Sequence, residues 1–170
     1  MTRANFLARG ALIAAIYVVI TVALAPISYG QIQLRVSEAL TSLAYIEAAA
    51  IPGLNVGVII ANIFGGLGPW DIFGGSFLTL VAAVLTWLLG KFFRARKTGS
   101  LRYVGPAIAL IPPVVINAFG VAYILKIVAK VPYWITVLLV GTGEAMAVYL
   151  LGYPLLLFLL RSKYFTPDQF

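Results

Sequence analysis

Long apolar runs, separated by short breaks that contain glycine, proline or polar residues, dominate this sequence. Of its 170 residues, 62% are hydrophobic and only 10% are charged, whereas about a quarter of the residues in soluble domains are charged. A soluble domain of this size has too little interior to bury so much apolar surface. A run of about 20 apolar residues crosses a bilayer as a helix. We therefore expect an all-α integral membrane protein, and we exclude a soluble enzyme and a disordered chain.

The breaks divide the chain into six predicted transmembrane helices. The second and third are shorter than a standard span, because glycine and proline end them early. Pro112 and Pro113 are expected to break the fifth, since proline removes an amide donor. The predicted helices cover residues 7–27, 36–50, 54–64, 71–93, 103–125 and 133–160. Together they predict a single membrane domain over residues 1–165, followed by a cytoplasmic tail at 166–170.

Lysine and arginine are distributed unevenly between the two ends of these helices. The end that both termini share carries Arg3, Arg9, Lys91, Arg94, Arg96, Lys97, Arg102, Arg161 and Lys163. The opposite end carries only Arg35, Lys126 and Lys130. Because basic residues accumulate in cytoplasmic loops, this asymmetry predicts cytoplasmic N and C termini. The net charge of +7 therefore indicates orientation in a bilayer, and no nucleic-acid partner is expected.

The sequence contains no cysteine and no histidine. Disulfides, thiol nucleophiles, Cys/His metal sites and proton transfer by histidine are therefore excluded. A glycine-rich phosphate loop of the P-loop type is also absent, so we do not expect the chain to hydrolyse ATP by itself. We predict no cofactor, no metal and no catalytic residue, and we expect the chain not to be an enzyme.

Several polar residues fall where lipid would otherwise surround them, and a charge at that depth is costly without a partner. Glu144 lies near the predicted bilayer centre and follows Gly141 and Gly143 in the sequence. We interpret it as a substrate-binding carboxylate. Arg35 and Glu38 open the second helix, where they can also pair with one another at i, i+3. Asn62 and Asn117 lie at a similar depth, either as substrate-binding amides or in an interhelical hydrogen bond.

Three further residues complete the predicted site. On an α-helix, Glu38, Ser42 and Tyr45 form one polar stripe at i, i+4, i+7 that faces the protein interior. Trp70 and Asp71 follow a glycine-rich turn at the outer surface. Alternatively, Trp70 anchors the membrane interface and Asp71 caps the fourth helix. Together with the groups above, they predict an outward-opening cavity for a small polar molecule.

Small residues, not polar ones, mark the first helix. Gly10-xxx-Ala14 and Ala11-xxx-Ala15 have the spacing that allows two helices to approach closely. These residues either pack inside the protein or form a docking face for another subunit. Glu47 lies off the polar stripe and nearer the cytoplasm, and we interpret it as structural or as facing a partner.

One segment, residues 32–40 with the sequence IQLRVSEAL, resembles the signature of the QueT family. The resemblance continues through IPGL at 51–54, ANIFGG at 61–66 and WDIFGGS at 70–76, and so covers nearly the whole chain in order. Members of this family are the substrate-binding S components of energy-coupling factor (ECF) transporters, and they are assigned to queuosine precursors.

This resemblance implies a function that composition does not reveal. The chain would be a multi-pass protein of the bacterial plasma membrane that captures a 7-deazaguanine base from outside. It would associate with a transmembrane coupling subunit, contacted by Ala11 and Ala15, and with two ATPases, and it would topple to release the base inside. A guanine-like edge presents parallel N–H donors that suit a carboxylate. The alternatives are an S component for another vitamin-like substrate, or a membrane enzyme that uses Glu144.

The connector between the first two helices, residues 29–35, contains a glycine and polar residues typical of a mobile segment. Arg35 and Glu38 would anchor its far end beside the cavity, unless the two residues simply pair and hold a static connector. A bound polar base must be shielded from lipid while the protein reorients. We therefore predict that this connector closes over the substrate as a lid.

Overall fold

The computed structural model describes residues 2–29, 34–96 and 101–162, and every regular element within these ranges is helical. In chain order the elements are α1 (Arg3–Ala23), α2 (Ala25–Ser28), a 3₁₀ helix (Val36–Tyr45), α3 (Ala50–Gly65), a first π segment (Trp70–Gly75), α4 (Ser76–Ala95), α5 (Leu101–Ala109), α6 (Ile111–Val128), α7 (Tyr133–Ala145), a second π segment (Met146–Gly152) and α8 (Tyr153–Arg161). The predicted tail at 166–170 lies outside the described residues.

Four helical stretches are long and apolar enough to cross a membrane. They are Arg3–Ala23, Trp70–Ala95, Tyr103–Val128 and Tyr133–Arg161. The other two predicted spans correspond to the 3₁₀ helix and to α3, which has 16 residues. The all-helical prediction is confirmed, and four of the six predicted spans reach the length that a bilayer requires.

The second predicted helix is wrong in type, because residues Val36–Tyr45 form a 3₁₀ helix and not an α-helix. With three residues per turn, positions i and i+3 share a face. Glu38 therefore shares one face with Thr41, whereas Ser42 shares a different face with Tyr45. The predicted single stripe through Glu38, Ser42 and Tyr45 is therefore wrong, although all three are buried as expected. A rise of about 2 Å per residue extends this ten-residue helix to about 20 Å, compared with about 15 Å for an α-helix.

Hydroxyl groups and glycines hold this 3₁₀ helix in place. Thr41 donates to the Glu38 carbonyl at 2.7 Å, which reinforces the three-residue spacing. A methyl group at Gly90 of α4 would lie 2.5 Å from the carbonyl oxygen of Tyr45. A methyl group at Gly152 of the second π segment would lie 2.7 Å from the carbonyl oxygen of Ala39. Both ends of the 3₁₀ helix are therefore in backbone contact with a neighbouring element.

Prolines set the remaining differences from the predicted boundaries. α3 begins at Ala50 and continues through Pro52, because the first turn of a helix does not need the missing amide. The predicted break in the fifth helix is confirmed: it falls at Leu110, between α5 and α6 and just before Pro112 and Pro113. Pro112 and Pro113 therefore lie in the first turn of α6, where the amide N–H groups that they lack would have no partner within the helix.

The two small-residue patterns of α1 have different surroundings. Gly10 and Ala14 are buried against α3, where a methyl group at Gly53 would lie 2.6 Å from the carbonyl oxygen of Gly10. The first pattern therefore packs inside the protein. Ala11 and Ala15 are exposed on the neighbouring side of the helix. Ala11 also lines an apolar groove of about 240 Å³ between the N-terminal part of α1 and α3.

A buried polar cluster as the candidate functional site

Six of the predicted site residues converge at one end of the helical bundle, and each is at most 6% exposed. They comprise Arg35, Glu38, Asn62, Asp71, Asn117 and Glu144, and we call them the polar cluster. The cluster is assembled from the start of the 3₁₀ helix, the last turns of α3, the first π segment, α6 and the end of α7. Because successive helices run in opposite directions, these distant parts of the sequence meet at one level.

Arg35, Asn62 and Asp71 form one half of this cluster, the arginine group. Arg35 Nη1 donates to Asn62 Oδ1 at 2.9 Å, and its Nη2 lies 4.0 Å from Asp71 Oδ2. Asn62 Nδ2 donates to the backbone carbonyl of Asp71 at 2.8 Å. Gly66, with φ of 70°, ends α3 and lets the chain turn so that Asp71 returns beside Asn62. Asn62 therefore orients both charged neighbours.

Two alternative interpretations of these residues are not what the structure shows. Arg35 could have paired with Glu38, but its hydrogen bond and its ion pair are with Asn62 and Asp71. Asp71 was also considered as a helix N-cap, but its helical segment already begins at Trp70 and no side chain caps it. The Asp71 carboxylate instead lies in the interior, 1% exposed.

Glu38, Asn117 and Glu144 form the other half, the glutamate group. Tyr17 of α1 donates from its hydroxyl to Glu38 Oε1. Asn117 Nδ2 donates to Glu144 Oε1 at 3.2 Å. Glu38 and Glu144 interact electrostatically with one another, and both interact with Arg35. The two groups therefore belong to one electrostatic environment.

Many polar atoms of the cluster have no hydrogen-bond partner. They are Arg35 Nε and Nη2, Glu38 Oε2, Asp71 Oδ1 and Oδ2, Asn117 Oδ1 and Glu144 Oε2. Buried polar atoms in native proteins are nearly always hydrogen-bonded, so a concentration of unpaired ones is typical of a binding site. Among the described residues, no group of three or more carboxylates is placed to hold a metal ion. The unpaired atoms include donors on Arg35 and acceptors on the carboxylates and Asn117, so they complement a ligand that has both acceptors and donors.

The structure does not bring the two predicted aromatic residues into this cluster. Trp70 is 67% exposed, although its neighbour Asp71 is buried. Tyr45 is buried at the far end of the 3₁₀ helix, about 14 Å along its axis from Glu38. Its ring packs with Ile46 and Leu110 and lies 5.7 Å from the guanidinium of Arg94.

Tyr17, Thr21 and Ser37 belong to the surroundings of the site, but the sequence analysis did not select them. Tyr17 bonds to Glu38, and the hydroxyl oxygens of Thr21 and Ser37 are 2.6 Å apart. Gly10, Ala14, Tyr17 and Thr21 follow one another at i, i+4, i+7, i+11, which places them on one face of α1. That spacing was the available signal, and it identifies the face of α1 that packs inside the protein.

Glu47 lies outside the polar cluster. Its Oε2 accepts a hydrogen bond from Arg9 Nη1 at 2.6 Å, and its Oε1 accepts one from the backbone amide of Ala49 at 3.2 Å. Both oxygens are therefore used within the protein. Of the two interpretations of Glu47, these contacts support the structural one.

The predicted lid at 29–35 falls partly outside the described residues, which omit 30–33. The two ends of this connector are both attached to α3. The Tyr29 hydroxyl donates to the Ala61 carbonyl at 2.5 Å, and Arg35 bonds to Asn62. The Arg35 guanidinium also lies 5.6 Å from the centre of the Tyr29 ring. Lid closure stays a prediction, with both anchors beside the arginine group.

Comparisons with known proteins place this helical membrane protein in a family. A family model described as QueT transporter matches residues 7–161, from α1 to the end of α8. A relative from Lactococcus lactis subsp. cremoris (strain MG1363), described as "Queuosine precursor transporter QueT", is 32% identical over 145 residues. The matched region covers 82% of this chain and 83% of that relative. No solved structure matches the chain. On the extent of these two matches, the chain belongs to the QueT transporter family.

Proposed function

We propose that this transporter chain is the substrate-capture S component of an ECF-type importer, and that it binds a queuosine precursor of the 7-deazaguanine class. The name of the Lactococcus relative supports this substrate. In this proposal residues 1–165 form one membrane domain, and ATP is hydrolysed by two partner ATPases. The chain itself carries out no chemical reaction.

The observation that carries the proposal is the set of unpaired atoms in the arginine group. Both carboxylate oxygens of Asp71 and the Nε and Nη2 atoms of Arg35 lack hydrogen-bond partners, although Nη2 and Oδ2 face one another at 4.0 Å. The edge of a guanine-like base presents two parallel donors beside a carbonyl acceptor. Asp71 would accept the two donors, and Arg35 would donate to the carbonyl. The arginine group thus complements a deazaguanine edge, which leaves the glutamate group for the rest of the ligand.

The distribution of basic residues supports a site that opens outward. Arg3 begins α1, Arg94 lies in the last turn of α4 and Arg161 ends α8, so all three mark the end of the bundle opposite the polar cluster. Basic residues favour the cytoplasmic side. The polar cluster would then face the outside of the plasma membrane, from which an importer takes its substrate.

The exposed side of α1 supports the proposed coupling subunit as partner. Ala11 and Ala15 expose small side chains, and Ala11 borders the apolar groove between α1 and α3. A surface of small residues allows another helix to approach at short distance, and such approach drives helix association in lipid. The coupling subunit would place a helix against this side of α1.

The substrate is tested by purifying the full chain in detergent and determining the mass of the small molecule that co-purifies. The affinity for 7-deazaguanine bases is then measured by calorimetry. We expect a deazaguanine to co-purify and to bind again after its removal. Recovery of a flavin or another vitamin, without any deazaguanine binding, would contradict the proposed substrate.

The coupling role is tested with Ala15→Trp in the assembled importer. We expect substrate binding to the isolated chain to be unchanged and uptake to be abolished, because the indole prevents close helix packing. Ile16→Trp is the matched control, since Ile16 is the next residue, is 40% exposed and points about 100° away around α1. Equal uptake by the two variants would argue against docking at Ala15.

A further inference from the structure

Gly75, the last residue of the first π segment, is buried against the arginine group. Its backbone has φ of −60° and ψ of −43°, an ordinary helical conformation that any residue can adopt. A methyl group at Gly75 would lie 2.8 Å from Asn62 Nδ2 and 3.5 Å from Asp71 Oδ1. Side chains in proteins essentially never place a Cβ atom within 3.0 Å of such a neighbour. Glycine is therefore needed at this position for space and not for conformation.

The group that fills this space is the side-chain amide of Asn62, which is fully buried. Its Nδ2 donates to the Asp71 carbonyl at 2.8 Å, and its Oδ1 accepts from Arg35 Nη1 at 2.9 Å. One planar amide makes both bonds, so a displacement of Nδ2 also moves the oxygen that holds Arg35. The end of a side chain gives way more easily than packed backbone, and a methyl group at position 75 is therefore expected to move Asn62 first.

The first π segment has two buried residues, Asp71 and Gly75, and both are next to Asn62. Asp71 supplies the carbonyl that the amide bonds to, and Gly75 supplies the room that the amide occupies. Trp70 and Phe73 of the same segment are 67% and 68% exposed. Short π segments within helices are rare and occur frequently at functional sites. Here the segment provides one amide with both a bonding partner and a space.

We propose that Gly75 is a positioning residue for substrate binding, because its missing side chain leaves the space in which the Asn62 amide orients Arg35 and Asp71. This inference rests on the proposed function, in which the arginine group binds the edge of the base, and it adds a residue to that site. Gly75 itself does not touch the ligand. A side chain at position 75 lowers affinity by turning the Asn62 amide, which misaligns the two charged groups.

Gly75→Ala tests this inference, with Gly74→Ala as the matched control. The two glycines are neighbours in one segment, so the change in helix propensity is similar for both. A methyl group at Gly74 would meet only the end of the Ile124 side chain, at 3.0 Å from its Cδ1. Calorimetry on the full chain in detergent, with 7-deazaguanine as the probe, should show about tenfold weaker binding for Gly75→Ala. Gly74→Ala should bind the probe as the unaltered chain does, and an equal loss in both variants would overturn the inference.

Asn62→Ala shows whether the effect of Gly75→Ala passes through the amide. In that background the atom that the methyl group displaces is gone, so adding Gly75→Ala should cause no further loss of affinity. An equal loss in both backgrounds would overturn the inference, and so would an unchanged affinity of Gly75→Ala. Either result leaves the proposed function intact, because the unaltered chain still binds the probe. If the unaltered chain does not bind 7-deazaguanine, both fail.

The thermal unfolding midpoint separates positioning from packing. We expect Gly75→Ala to stay folded, because the displaced group is a side chain and not the backbone. A lower midpoint with full affinity would assign Gly75 to packing and overturn the inference. If Gly75→Ala does not fold alone, combining it with Asn62→Ala should restore folding, since the overlap is relieved. Failure of this double variant to fold would also overturn the inference.

Discussion

Two regions of this protein bury a glutamate to almost the same extent, and they use it differently. Glu47 is 5% exposed and Glu144 is 4% exposed. Glu47 accepts bonds at both oxygens, from Arg9 and from the Ala49 amide. Glu144 accepts one bond, from Asn117, and its other oxygen has no partner. Burial alone therefore does not distinguish the two glutamates, whereas the unpaired oxygen of Glu144 does, and on that oxygen rests the proposal that Glu144 binds the substrate.

The largest expected effect is that of Glu144→Gln on substrate affinity. Glutamine keeps the volume but places an amide donor where a substrate donor is expected. We expect affinity to fall by about thirtyfold or more, with the protein still folded. Calorimetry in detergent measures the affinity, and the thermal unfolding midpoint checks the fold. Unchanged affinity would show that Glu144, like Glu47, is structural.

Arg35→Lys tests whether the arginine group recognises geometry or only charge. Lysine preserves the positive charge but lacks the planar guanidinium. In Arg35 that group donates to Asn62 and still has two nitrogens without a hydrogen-bond partner, which a ligand can use. We expect a fall in affinity of about tenfold, measured by the same titration. If lysine binds substrate as well as arginine does, the group supplies charge alone.

Tyr17→Phe removes the donor that orients Glu38 without removing a group proposed to touch the ligand. We expect substrate affinity to fall by about fivefold, because the Glu38 carboxylate loses the hydrogen bond that orients it. The same titration measures the affinity, and the thermal unfolding midpoint checks the fold. Unchanged affinity would show that the bond from Tyr17 to Glu38 is not needed for binding.

The smallest effect on affinity is expected for Glu47→Gln. Its partner Arg9 is 45% exposed, so the ion pair is partly screened by solvent and contributes about 1 kcal/mol or less to stability. We expect a slightly lower unfolding midpoint and an unchanged affinity. A clear loss of affinity would end the distinction between the two glutamates and would require a connection between the two regions.

The sequence predicts the residues of the polar cluster better than the shape of the backbone that holds them. Glu38, Asn62 and Glu144 are recognisable because polar groups are rare in apolar helices and need a reason to be there. The 3₁₀ geometry at Val36–Tyr45 is not recognisable, since it depends on tertiary contacts with Gly90 and Gly152. The predicted placement of Tyr45 on the same face as Glu38 assumed an α-helix, and the change to three residues per turn separates the two faces.

Which oxygen atoms stay unpaired is also beyond the reach of the sequence. Tyr17 and Glu38 are 21 residues apart, and Asn117 and Glu144 are 27 apart, so their pairing depends on helix orientation. The spacing of Tyr17 on the packed face of α1 indicates burial but not the partner. The hydrogen-bond partner of each buried polar group depends on the three-dimensional arrangement of the helices. The candidate site residues, in contrast, can be selected from composition and periodicity.

The backbone contacts at the two ends of the 3₁₀ helix determine how this binding site can change during evolution. Gly90 and Gly152 hold that helix against its neighbours through main-chain contacts, and the Glu38 side chain adds a bond to Tyr17 of α1. Asn117 and Glu144 lie on α6 and α7 and make neither contact. We therefore expect substitutions at 117 or 144 to change the ligand that fits with less effect on the backbone than a substitution at 90 or 152.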